Sequence, residues 1–101
     1  FDQFLAQNLA RFLTRLQETP EGDGSMLDRT LVLYGSSNSR THQNHNYPLL
    51  LAGGGQLGLT HNQYLRFSEK TPMSNLFVSM MQAVGLEVDE FADSTGTLAG
   101  L

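Results

Sequence analysis

The chain has 101 residues, a net charge of −4, 40% apolar and 16% charged residues, and no cysteine. This composition fits a folded chain of a length near the lower end for a self-sufficient core, and it excludes disulfides and thiolate metal sites. The basic residues Arg11, Arg15, Arg29, Arg40, Arg66 and Lys70 are scattered and form no stripe that would neutralise phosphates, so no nucleic-acid partner is expected.

Residues 1 to about 18 read as an amphipathic helix. Phe1, Phe4, Leu5, Leu9, Phe12, Leu13 and Leu16 recur at the 3,4-spacing that gathers one apolar face, with Gln3, Gln7, Arg11, Thr14 and Glu18 opposite. Packing on a sheet is the expected use of such a face, with a membrane or partner helix as the alternative. The pattern is already running at Phe1, which predicts that the chain is a piece of a longer one. Thr19-Pro20-Glu21-Gly22-Asp23-Gly24-Ser25 breaks the helix with turn formers and is expected to be a loop.

Thr30-Leu31-Val32-Leu33-Tyr34-Gly35 and Tyr47-Pro48-Leu49-Leu50-Leu51-Ala52 are short apolar runs suited to strands buried on both faces, and Pro48 belongs at a strand entrance. The weak alternation of Gln63-Tyr64-Leu65-Arg66-Phe67 predicts a short third or edge strand. Thr71 as N-cap, Pro72 at the first helical position and Gly85 as the stop bracket a second helix, whose Met73, Leu76, Phe77, Met80, Met81 and Val84 form a core stripe. Leu86, Val88 and Phe91 then tack an irregular tail onto the same core.

The order of elements predicts an α/β layered domain, with the two apolar strands parallel and the first helix on one side of their sheet. Two helices cannot cover both faces of such a sheet. The missing cover points to more polypeptide or other subunits as partners, and to marginal stability or association of the chain alone. The apolar runs are too short to span a bilayer.

Chemistry is best sought in the polar stretch from Gly35 to Asn46, which leaves the carboxyl end of a strand and carries His42 and His45. Two histidines supply two ligands at most, and no Asp or Glu lies between Asp28 and Glu69, so a metal role stands beside that of surface or hydrogen-bonded histidines. Gly53-Gly54-Gly55-Gln56-Leu57-Gly58 lacks the Gly-Lys-Ser/Thr of a phosphate-binding loop and reads as a turn. Ser36, Ser37 and Ser39 have no acid–base partner at a recognised triad spacing.

Several of these stretches together resemble a known family. They are Thr30 to Ser36, His42 six residues before Pro48, Leu50-Leu51-Ala52-Gly53-Gly54-Gly55, Thr71 to Val78 and Asp93-Ser94-Thr95-Gly96-Thr97-Leu98, preceded by Thr19 to Asp28. The combination resembles the C-terminal part of a large uncharacterised bacterial family, frequent in Planctomycetes-type genomes. That family is similar to the alkaline-phosphatase-like (sulfatase-like) superfamily. The resemblance implies that residues 1–101 are the C-terminal segment of a single larger domain with a three-layer α/β/α fold, in an exported protein. It also implies a divalent metal (zinc, manganese or calcium) in the full-length protein. His42 matches a late metal ligand of the superfamily, and His61 matches a histidine common in the family. Metal-dependent members carry an Asp-His pair just after the first of these strands, where this chain has Gly35-Ser36-Ser37-Asn38. The superfamily's nucleophile and first metal-binding Asp lie upstream of the matching region.

Two classes of function follow from the resemblance. One is a fragment of a metal-dependent hydrolase of phosphate or sulfate esters, with His42 and His61 toward metal and Ser36 and Asn38 hydrogen-bonding substrate oxygens. The other is a binding or scaffold module that keeps the fold without the metal centre, since a fold by itself does not choose a function.

Overall fold

A computed structural model describes residues 2–35, 49–68 and 70–101. The first helix, α1, spans Asp2–Glu18, as the spacing predicts, with no Gly or Pro to interrupt it. It stops where the Thr19 hydroxyl donates to the Arg15 carbonyl (2.6 Å) and Pro20, which has no N–H, follows. Its main neighbours are the turns just downstream. Leu9, Leu13 and Leu16 are half-buried, while Phe4 and Phe12 remain 62% and 50% exposed.

The segment expected to be a loop instead contains a minimal antiparallel hairpin. Strand β1, Pro20–Glu21, pairs with β2, Gly24–Ser25, across Gly22-Asp23. Gly22 takes φ +59, which a side chain would resist. A 3-10 turn over Met26–Arg29 follows, its start fixed by Asp28, whose Oδ2 accepts the Ser25 N–H at 2.9 Å.

The two apolar runs form strands β3, Leu31–Gly35, and β4, Leu49–Gly53. They are antiparallel, with Leu31 opposite Gly53 and Gly35 opposite Leu49, which corrects the parallel expectation. The physical reason lies in the connection. A parallel return needs a crossover of about a dozen residues or more, usually a helix, whereas residues 36–48 are polar and carry no helical apolar period. α1 packs chiefly on the Met26–Arg29 turn and β2, so the expected layering of helix on this sheet is also not what organises it.

At the end of β4 the backbone doubles back. Gly53 and Gly54 take φ +83 and +72, and the Gly54 N–H donates to the Leu27 carbonyl at 2.9 Å. A side chain on Gly53 would collide with the Thr30 carbonyl oxygen. A 3-10 turn over Gly55–Leu57 follows, then an irregular run from 59 to 68. The strand expected at residues 63–67 does not form. Asn62 sits at φ +61, which breaks the extended path, and the Gln63 side chain donates to the carbonyls of Thr60 and Gly100.

The second helix, α2, spans Ser74–Ala83. Its start is later than the sequence suggests. Met73 occupies the N-cap, and Pro72 contributes through its carbonyl, which accepts the Asn75 N–H at 3.1 Å, rather than as the first helical residue. Gly85 ends it as expected. At φ +97 its N–H donates to the Gln82 carbonyl and the next N–H, of Leu86, reaches back to Met81, the paired closure of a Schellman motif. The tail beyond is irregular, and Phe91 meets Phe77 edge to face with ring centres 6.3 Å apart.

The described residues thus form a small mixed α/β domain with two helices and two separate two-stranded antiparallel sheets. Among the described residues, only Gly54 and, in the first turns of α2, Ser74, Asn75, Leu76 and Val78 are buried. No helix among the described residues is long and apolar enough to cross a membrane.

Candidate functional site

Among the described residues an open cleft of about 1210 Å³ lies between β4, the 59–68 run, the start of α2 and the C-terminal tail. Its walls are largely aliphatic, including Leu33, Leu51, Leu65, Leu76 and Leu98, and His61, Gln63 and Arg66 line it with polar groups. Most small-molecule sites are concave and apolar with a few placed polar groups. Here the opening is wide, and the aliphatic walls match an unfilled core as well as they match a ligand site.

His61 is the one proposed ligand whose surroundings are described. It lies on the exposed 59–68 run, and its Nε2 is 2.6 Å from the Gly53 carbonyl oxygen. A carbonyl oxygen only accepts, so Nε2 carries the proton and donates. In the neutral ring the remaining lone pair then belongs to Nδ1. This is the arrangement by which a second-shell carbonyl orients a metal-binding imidazole. It also accounts for a histidine whose work is to tie the 59–68 run to the end of β4.

The antiparallel pairing decides where the other candidates attach. Ser36, Asn38 and His42, together with His45, lie outside the described residues, on the 36–48 segment that joins Gly35 to Leu49. Those attachment points are at one end of the β3–β4 ladder. Gly53, and with it His61, is at the other end, opposite Leu31. The pairing therefore anchors His61 and the His42 segment at opposite ends of the sheet. Among the described residues no three His, Cys, Asp or Glu side chains gather to hold a metal ion. His61 offers one nitrogen, and the described residues do not fit a resident metal centre.

The polar side chains that the structure does bring together were not singled out as site residues. The Ser74 hydroxyl donates to Asp93 Oδ1 at 2.6 Å. Asn75 Oδ1 accepts the Thr95 N–H at 2.8 Å while its Nδ2 donates to Thr95 Oγ1 at 3.2 Å. The Leu98 N–H donates to the Ser79 hydroxyl at 2.9 Å. The two motifs Thr71–Val78 and Asp93–Leu98 thus meet each other, and these bonds give their polar residues a structural role. Asp28 is the other omission. A Ser-x-x-Asp spacing, Ser25 to Asp28, is a capping signature that marks it in the sequence. Asn75 carries no local signal, because its partner lies twenty residues away.

No protein-family model matches the chain, and neither a curated protein nor a solved structure does.

Proposed function

We propose that the chain is the C-terminal segment of a larger α/β/α domain similar to the alkaline-phosphatase-like superfamily, and that it serves there as a scaffold module. The observation that supports this is the distribution of apolar exposure. Phe4 and Phe12 on α1 and Leu50 on β4, the last 50% exposed, stand in water, while only Leu76 and Val78 among the described apolar side chains are buried. Full burial of a large apolar side chain is worth about 1.5–3 kcal/mol, and each of these forfeits roughly half of that. Exposed faces of this size mark surfaces that another part of a protein covers, and the remainder of the same polypeptide is the occupant proposed here.

The hydrolase reading keeps one observation in its favour, the Nδ1 lone pair that the Gly53 contact leaves on His61. Metal and nucleophile would then come from outside the described residues, and no catalytic step is derived from those present. The deciding experiment joins the chain to its preceding polypeptide, then measures bound zinc, manganese and calcium and hydrolysis of para-nitrophenyl phosphate and sulfate. A scaffold module gives no metal retention that His42→Ala or His61→Ala removes. Stoichiometric metal lost in either variant, with turnover lost alongside, would establish the enzyme instead.

A further inference from the structure

We infer that residues 91–101 form a strap that leaves and rejoins α2 as one unit, with the buried Asn75 side chain as its latch. This rests on the tail's attachments and is independent of the scaffold reading.

The strap has no helix or strand of its own. It opens on a tight turn in which the Ser94 N–H donates to the Phe91 carbonyl (3.0 Å) and the Phe91 N–H donates to the Ser94 hydroxyl (2.8 Å). From there Asp93, Thr95 and Leu98 are held by Ser74, Asn75 and Ser79, the last two one turn apart on the same face of α2. Further on, the Gly100 carbonyl accepts from Gln63 across the cleft. Positive φ angles at Ala92 (+53) and Gly100 (+93) mark the two places where the path bends sharply. Most of the strap is exposed, and its apolar anchors are Phe91, edge to face with Phe77 of α2, and the half-buried Leu98 and Leu101, both in the cleft wall.

Segments with few buried apolar contacts and many exposed polar ones open at lower free energy than the elements they rest on. The strap meets that description, whereas α2 contributes the fully buried Val78. Asn75 is the latch because it is 5% exposed and its amide engages Thr95 through both its oxygen and its nitrogen. Release carries Leu98 and Leu101 away from the cleft, so the strap governs how much of that wall is present.

Residue-resolved amide hydrogen exchange on the intact protein tests the inference. The Thr95 and Leu98 amides should exchange together and faster than Val78. Asn75→Ala should accelerate both by roughly tenfold, the scale of losing buried hydrogen bonds. Ser79→Ala removes the acceptor of the Leu98 amide itself, so the reporter is the Thr95 amide, whose Asn75 acceptor is intact and which should also accelerate, since one unit opens once. This variant is also mild enough to decide the matter if Asn75→Ala does not fold. Acceleration of Leu98 alone in Ser79→Ala would show independent attachments, and equal acceleration of Val78 would show release only with α2. Either result overturns the strap.

Discussion

Around Gly53 and Gly54 the chain is held by its own backbone, whereas between α2 and the tail it is held by side chains. In the first region two consecutive glycines at positive φ bring the end of β4 against the Leu27 and Thr30 carbonyls. In the second, Ser74, Asn75 and Ser79 reach across to a strap that has no regular structure. A backbone corner tolerates no added atom, and the His61 side chain meets it through the Gly53 carbonyl. A laced tail tolerates added bulk in open turns but depends on single polar atoms.

The largest effect is expected at the corner. Gly53→Ala adds a methyl group at positive φ, about 1–2 kcal/mol of conformational strain, and drives it into the Thr30 carbonyl, raising the loss to about 3 kcal/mol or more. Denaturant unfolding of the variant chain reads this directly. A loss no greater than strain alone would mean that the corner yields and the contrast is false.

Gly85→Ala sharpens the comparison, because Gly85 has a similar φ of +97 but nothing within 4 Å of where the new carbon would sit. Strain alone remains, so the expected loss is about 1–2 kcal/mol. The difference between the two variants in the same unfolding assay isolates the backbone collision. Equal losses would remove it.

The smallest effect is a gain. Ala92 holds φ +53, in the left-handed region that glycine enters freely, at the bend before Asp93. Ala92→Gly relieves that strain at some cost in unfolded-chain entropy, for a net gain of about 0.5 kcal/mol. Faster exchange of the Thr95 amide in this variant would show instead that the bend is held open by the alanine.

Much of the local structure was legible in single residues. The 3,4-spacing from Phe4 to Leu16 marks α1, and Gly85 marks the end of α2 through the left-handed conformation that closes its last carbonyls. The β-formers of Leu31–Gly35 and Leu49–Gly53 mark two strands. Their direction was not legible, because a buried apolar run looks the same in parallel and antiparallel sheets and only the connection discriminates. Of the candidate site, His61 is nominated only by the family resemblance, and nothing in its local spacing marks it. Strand pairing places Gly53 at the far end of the ladder from where the His42 segment attaches, and the return of the 59–68 run brings the His61 Nε2 to it.

By itself the sequence determined that α1, the two apolar strands and α2 exist and where α2 stops, since those follow from apolar spacing and from the φ preference of Gly85. Tertiary structure decided the antiparallel register, the failure of residues 63–67 to extend, and the union of Asn75 with Thr95. Each of these depends on which groups meet across long stretches of chain, where a hydrogen bond is made only after folding has brought both partners to the same place.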